Sequence, residues 1–377
     1  MNPTSLIAPS SPAGFPAPYW FLVTFKVIGF ILHLAMMNIW FAGPIIALIM
    51  YYCGPNPRRL SGRLMKSLPI IIAYGINFGI VPLLFIQVAY HKVFYPSTIL
   101  MAWAWFSVII MLTFAYYGAY IYATALKKDE NSIKGYKKAA GWISALLFII
   151  IGFIFTNEFS LMTNLSTWPN LWRATNFNGA VTGLALNTGD ASLWSRWLMI
   201  FGLAITTTAA YLGIDTGLFA RKEAAEYRRW ASEFPVKLYT VGAIWFGLAG
   251  SWYAFATWAD DVKKLMFSGP NLILTVMTAI SLAFPWAILL YAALKKEITK
   301  TLGIMLIIAQ VVVLAFNGIS RQIVQNAEIA HYFDVTAEKV NIQWSPMILF
   351  LVLFVLGALL IIWMIRQAAL SAEKNAI

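Results

Sequence analysis

The run Phe30-Ile31-Leu32-His33-Leu34-Ala35-Met36-Met37 lies within the first long apolar segment of the chain, residues 20–51. An ionisable side chain at membrane depth is energetically unfavourable, so a histidine at this position predicts a functional role. A neutral imidazole is the most frequent protein ligand of haem iron. Gly29 and Met37 each lie four residues from His33, on the same helical face. His33 is therefore predicted either to bind haem iron or to donate a hydrogen bond to a carbonyl group of a neighbouring helix.

The composition is that of an integral membrane protein. Of the 377 residues, 60% are hydrophobic and only 11% are charged, whereas a soluble domain carries about 25% charged residues. A single cysteine, Cys53, excludes a disulfide or a cysteine-based metal centre within the chain. The sequence therefore predicts an all-α polytopic protein in a lipid bilayer, and residues 1–377 form one integral membrane domain.

Nine apolar segments are long enough to cross a bilayer, which takes about 20 residues. These predicted spans are residues 20–51, 68–91, 97–126, 138–164, 193–219, 236–257, 270–294, 300–319 and 346–365.

Basic residues are concentrated on one side of these spans. The loops after the first, third, fifth and seventh spans, with the residues flanking them, and the C-terminal tail hold 19 of the 27 lysines and arginines. The positive-inside rule then places the N-terminus outside and the C-terminus in the cytoplasm. The net charge of +12 is thus explained by topology and does not indicate a nucleic-acid partner. We expect a multi-pass protein of a bacterial-type inner membrane, with no cleaved signal peptide.

Few other polar groups fall inside the predicted spans. Glu158 and its neighbour Asn157 lie toward the outer end of the fourth span, and Asp215 lies at the inner end of the fifth. Carboxylates in spans can belong to proton paths, so these three residues are candidates for one, although Glu158 could instead be hydrated or paired. His91 and His331 lie at the outer boundary, where histidine is common.

Several short motifs resemble those of subunit I of cytochrome bd-type quinol oxidases. His33 followed by Gly43 resembles the region of the family's haem-ligating histidine in the first span. Gly75-Ile76-Asn77-Phe78 resembles a segment of its second span, with Asn77 as the matched polar residue, and Asn157 fits the asparagine of its fourth span. Arg321-Gln322, placed after the eighth span, resembles part of a Gly-Arg-Gln-Pro segment. The resemblance implies four-helix bundles with one peripheral helix, and a haem iron bound to His33.

The departures from that family concern its chemistry. The two positions that hold the family's low-spin haem correspond here to Met199 and Met277, and the family's glutamate ligand falls at about Asn317 or Gly318. The long outer quinol-binding loop after the sixth span is missing. Loss of that haem and of autonomous oxidase activity is therefore expected, and the chain is at most a subunit of an oxidoreductase complex.

Four functions are compatible with these features. The chain could relay electrons through one haem b, held by His33 with Met37 or a partner's residue as second axial ligand, beside an extracytoplasmic c-type cytochrome. It could be a haem-free structural paralogue within a respiratory complex of several membrane subunits. It could also be a quinone-binding membrane anchor subunit, or a proton or solute conduit using Asn157, Glu158 and Asp215.

Overall fold

The computed structural model describes residues 2–129, 131 and 133–374 of the chain. Apart from one two-stranded hairpin, β1 (Asn176–Phe177) and β2 (Ala180–Val181), its regular elements are helices. The α-helices are α1 (Tyr19–Met50), α2 (Pro55–Ala89), α3 (His91–Leu100), α4 (Ala102–Lys128), α5 (Gly135–Thr163), α6 (Trp168–Thr175), α7 (Ala191–Leu218), α8 (Ala225–Ser251), α9 (Asp260–Met266), α10 (Gly269–Ile280), α11 (Ala283–Lys295), α12 (Lys300–Ala330) and α13 (Trp344–Lys374). The chain is thus an all-α polytopic membrane protein, as predicted.

Eight segments of the described chain are long and apolar enough to cross a membrane, against nine predicted spans. They are α1, α2, α4, α5, α7, α12, the apolar part of α13, and α10 with α11, which together form one span, Gly269–Lys295. The sixth predicted span, residues 236–257, is mostly occupied by α8, which ends at Ser251 and continues as a π-helical turn, Trp252–Thr257. The first half of α8 contains charged residues, and its second half contains glycine, tryptophan and tyrosine. α8 is therefore less apolar than the eight candidate spans.

Several helices extend well beyond the predicted spans. α12 runs to Ala330, eleven residues past the predicted end at position 319, so Arg321 and Gln322 lie within a helix and not in the loop after it. α2 begins at Pro55, thirteen residues before the predicted start at position 68. A hydropathy pattern marks the apolar layer, whereas a helix continues for as long as its polar side chains find partners.

The eight candidate spans and α8 form two bundles and one peripheral helix. α1, α2, α4 and α5 pack together, as do α7, α8, the α10–α11 span and α12, and α1 joins the two groups through contacts with α7 and α12. α13 packs on the outside, where Phe350 and Phe354 contact the ring of Phe25 with centroids 4.9 and 5.2 Å away. The predicted arrangement of four-helix bundles plus one peripheral helix is confirmed.

A buried polar chain connects the two bundles. Asn38 of α1 donates to the hydroxyl of Thr207 of α7 over 3.0 Å, and Gln310 of α12 donates to the same hydroxyl over 3.0 Å. Tyr239 of α8 donates to Gln310 over 3.3 Å. Inside a membrane such bonds specify which helix faces which, because hydrophobicity alone cannot distinguish a neighbouring helix from lipid.

Ion pairs close the predicted cytoplasmic end of the molecule. Arg63 of α2 makes two hydrogen bonds to Asp215 of α7, of 2.7 and 2.8 Å, and a further bond of 2.8 Å to Glu223. Arg59 also binds Glu223 through two bonds, of 3.0 and 2.8 Å. Asp215 therefore joins the two bundles as an ion-pair partner, and its role in a proton path stays a prediction that this pairing does not favour.

Candidate cofactor site around His33

Glycines allow α1 and α2 to approach each other closely around His33. A Cβ atom added at Gly29 of α1 would lie 2.9 Å from Val81 of α2, and one added at Gly79 of α2 would lie 2.8 Å from both Cε1 and Nδ1 of His33. Real Cβ atoms essentially never show contacts this short. Small residues at helix contacts are a recurrent feature of membrane proteins, because they let backbones come together. The imidazole of His33 therefore lies directly against the backbone of α2.

The ring of His33 is oriented by a single backbone hydrogen bond. Its Nδ1 lies 2.8 Å from the carbonyl oxygen of Gly75, one turn before Gly79 on α2. A carbonyl oxygen only accepts, so Nδ1 carries the proton, and in the neutral ring Nε2 keeps its lone pair. Within the described part of the chain no hydrogen bond occupies Nε2. This is the predicted contact with a neighbouring helix, and it is also the second contact that iron-binding histidines ordinarily make.

A cation with no carboxylate partner lies beside this ring. The guanidinium carbon of Arg321 is 4.5 Å from the ring centroid of Phe30 and 4.5 Å from that of Phe159. Arg321 is close enough to His33 to act on it electrostatically. None of the described residues accepts a hydrogen bond from its five donors. The charge of Arg321 is stabilised by two aromatic faces. Its N–H donors are therefore available to bind another group.

A cluster of polar side chains continues from Arg321 toward the predicted outer end. The ammonium of Lys26, on α1, donates to Gln322 over 2.7 Å and to Gln325 over 3.0 Å, and lies 4.5 Å from the ring centroid of Tyr90. Gln322 also donates to the hydroxyl of Tyr90 over 2.6 Å. We call this the Lys26 cluster; its members are Lys26, Gln322, Gln325, Tyr90, Asn326 and Tyr19. It joins the ends of α1, α2 and α12.

The three methionines predicted as ligands occupy different places. Met37 lies on the same helix as His33, so it cannot easily reach the opposite face of a ligand bound there. Met199 of α7 packs against the apolar cluster that also contains Leu34 and Phe30. Met277 of α10 is half-buried and is not among the described residues that pack on that cluster. Met37 packs on the same cluster, and all three methionines remain predicted ligands.

Glu158 and Asn157 are more deeply buried than their predicted interfacial position suggests. Both are completely inaccessible to solvent. Glu158 Oε1 accepts a 2.5 Å hydrogen bond from Ser97, while its Oε2 has no partner. Asn157 accepts from the backbone N–H of Asn187 over 3.2 Å, and its amide nitrogen is also unpartnered. In the described part of the chain Glu158 therefore has neither solvent exposure nor an ion-pair partner, and its role in a proton path stays a prediction.

The remaining sequence candidates lie away from His33. Asn77 is exposed on the surface of α2 and donates to its own helix, to Ala73, over 2.8 Å. His91 is half-buried at the start of α3, where its ring lies edge-on to Phe15. His331 is exposed and shares a hydrogen bond with Asp261.

Of the Lys26 cluster, sequence reasoning singled out only Gln322, and it did not identify the cluster as a site. One usable signal is the spacing of Lys26 and His33, which are seven residues apart and so lie on one helical face. Another is the polar pattern of Arg321, Gln322, Gln325 and Asn326, which continues helically after the apolar part of α12.

No protein family model matches the chain, and no curated protein matches it. Among solved structures, the chain is similar to one from the bd oxidase of Geobacillus thermodenitrificans, with a TM-score of 0.59 and 12% sequence identity. The match covers 94% of this chain and 98% of the other. At this low identity the similarity concerns the path of the backbone. The protein therefore has a fold like that of bd oxidase.

Proposed function

We propose that this chain is a membrane subunit of a respiratory electron-transfer complex, and that His33 holds the iron of one haem b. The observation that carries the proposal is the state of the imidazole. The hydrogen bond from Nδ1 to Gly75 fixes the ring and leaves Nε2 as a free lone pair, which is the arrangement that iron ligation requires. The bd oxidase-like fold adds support, because the structure it resembles belongs to an oxidase.

The residues present around His33 fit this cofactor. Gly79 leaves no side chain between the ring and α2, and Arg321 offers a cation whose donors are unused by the described residues. A bound haem would supply one-electron redox chemistry. The chain's own contribution is to orient the imidazole, to surround it with apolar helices, and to place positive charge beside it. A second axial ligand would come from Met199, Met37 or a partner's residue.

The proposed partners follow from topology. With the N-terminus outside, the Lys26 cluster and His33 lie toward the extracytoplasmic side of α1, where a c-type cytochrome could exchange electrons. Other membrane subunits, including a bd-like paralogue, would pack along the apolar faces. α4 presents one such face, including Phe106, Ile109 and Phe114, each more than half exposed.

A second candidate function is favoured by Glu158. A carboxyl group that is fully buried without a cation is a recognised feature of proton paths, and unpartnered atoms of Glu158 and Asn157 lie next to each other in sequence. A proton conduit would use these residues without any haem. Proton uptake by liposomes containing the purified chain alone, compared with those containing Glu158→Gln, would support it. The chain could also serve as a haem-free structural subunit or as a quinone-binding anchor.

The experiment that separates these functions is a reduced-minus-oxidised spectrum with a pyridine haemochrome assay on the purified chain. The three histidines provide matched variants: His33→Ala should lose the haem, while His91→Ala and His331→Ala should keep it. A folded wild-type protein without haem after expression with haem supplementation would refute the proposal and leave a structural, quinone-binding or conduit role. Haem retained in His33→Ala would place the iron elsewhere.

A further inference from the structure

Two cations near His33, the buried Lys26 and the half-buried Arg321, lack an acidic ion-pair partner among the described residues. Lys26 is only 8% exposed, and its ammonium is bound by two amide oxygens and one aromatic face. Arg321 is bound by two aromatic faces alone. Among the described residues neither forms an ion pair with an aspartate or glutamate. By contrast Arg196, on neighbouring α7, is paired with Glu328 at 2.5 Å.

The charged forms of such groups are unfavourable at this depth, and a nearby anion would stabilise them. Burying a charge without a counter-charge is among the largest destabilising terms in proteins, more so at membrane depth. Lys26 and Arg321 also repel each other, because they are close enough to interact electrostatically. A third group near them is a buried donor without an acceptor, the amide nitrogen of Gln325. Two cations and one unused donor therefore lie near one another, with Lys26 and Gln325 buried and Arg321 half-buried.

The position of these groups relative to His33 restricts the anion. Lys26 and His33 are seven residues apart on α1, which corresponds to about 10 Å along one face of the helix. Arg321 lies against Phe30, which stands between them on the same helix. The separation between the iron of a haem and the carboxylates on its propionate edge is of this scale.

We propose that Lys26 and Arg321 bind the two propionate carboxylates of the haem whose iron His33 holds. This inference rests on the proposed function. Lys26 and Arg321 would then hold the carboxylates toward the predicted outer end of α1. The Lys26 cluster would hold Lys26 in place through Gln322 and Tyr90, and Gln325 would donate its free N–H to a carboxylate oxygen. A lipid phosphate or a free carboxylate could satisfy the same cations, so the test must separate these sources.

The test compares haem with haem dimethyl ester, in which both carboxylates are blocked. Apo-protein in detergent is titrated with each compound, for the wild type, Lys26→Met, Arg321→Met and the exposed control Lys339→Met. A charge-assisted hydrogen bond contributes enough for about a tenfold effect or more. We expect the wild type and the control to bind haem at least tenfold more tightly than the ester. Lys26→Met and Arg321→Met should each lose most of that preference, while binding the ester as the wild type does.

A second readout does not depend on affinity. Replacing a cation beside a propionate leaves negative charge near the iron, which favours the oxidised form. Lys26→Met and Arg321→Met, reconstituted with haem, should therefore have lower midpoint potentials than the control. If haem binds through His33 but the wild type does not distinguish it from the ester, the inference is overturned and the cations serve a lipid or another anion. If His33→Ala binds haem as the wild type does, the proposed function itself fails.

Discussion

Gly79→Ala tests whether the close approach of α2 positions His33. The new Cβ would lie 2.8 Å from Cε1 and Nδ1 of the ring, whereas carbon atoms in contact prefer about 3.5 Å or more. The ring must therefore move away from α2 by roughly 0.7 Å. Because Gly75 lies on the same helix, its 2.8 Å hydrogen bond to Nδ1 would lengthen to about 3.5 Å, where it ceases to be a hydrogen bond.

The expected energies can be worked from this displacement. Loss of the bond contributes about 1 kcal/mol in a membrane protein, and overpacking a tight contact contributes about 1–3 kcal/mol. Alanine is more favourable than glycine inside a helix, which offsets about 0.5–1 kcal/mol of this destabilisation. The net destabilisation is about 1–3 kcal/mol. A misoriented iron ligand also weakens metal binding by about 10–100-fold.

The assay is thermal unfolding of the apo-protein in detergent, together with a haem titration. Gly247→Ala is the matched control, since Gly247 also lies in a long helix and a Cβ there would meet nothing within 4 Å. The control should be as stable as the wild type or slightly more so. In a His33→Ala background, Gly79→Ala should have little effect, because the ring that it displaces is gone. The reasoning is refuted if Gly79→Ala behaves like Gly247→Ala in both measurements.

Three further predictions concern charges away from His33. Arg196→Gln should destabilise the protein by about 3–5 kcal/mol, because it leaves Glu328 buried and unpaired. Adding Glu328→Gln should recover part of the lost stability. Equal melting temperatures for the single and double variants would contradict this. The pKa of Glu223 in the folded protein is lowered chiefly by its hydrogen bond from Arg59. The Glu223 carboxylate should therefore stabilise the fold fully above its pKa in the unfolded chain, about 4.3. This stabilisation should be lost as the pH falls through the lower pKa of the folded state. The difference in melting temperature between wild type and Glu223→Gln should accordingly shrink only in acid, and a constant difference from pH 7 to 3 would argue against the ion pair. Asp190 caps α7 by accepting a hydrogen bond from the backbone N–H of residue 192 over 2.8 Å. Asp190→Ala should therefore lower the free energy of unfolding by about 1–2 kcal/mol, which thermal unfolding can measure. An unchanged melting temperature would show that the cap is dispensable.

The histidine illustrates what a sequence can and cannot indicate about a site. One histidine in an apolar run marks a position of interest by itself, because an ionisable group at that depth is rare. The sequence left open whether His33 binds a cofactor or a neighbouring helix. The structure identifies its carbonyl partner as Gly75, and it shows that this contact leaves Nε2 available. That pairing joins residues 42 positions apart, so no local pattern reveals it.

The two acidic candidates separate for a similar reason. Sequence places Glu158 and Asp215 alike, as carboxylates near the ends of spans. In the folded chain Asp215 meets Arg63 of another helix, whereas Glu158 meets only Ser97 and has no cation near it among the described residues. Burial and pairing are properties of helix packing, and the hydropathy of a single segment does not contain them.

The amino-acid sequence by itself determined that this protein lies in a lipid bilayer, that it is helical, where most of its spans fall, and that basic residues are biased toward one side. These follow from composition along short segments, because the bilayer selects for apolar length and the positive-inside rule acts on loops. Only the tertiary structure decided how far α12 extends, which cations lack an acidic partner, and which backbone group orients His33. The contact of His33 depends on glycines that let α1 and α2 approach. All three outcomes are set by contacts between distant segments of the chain.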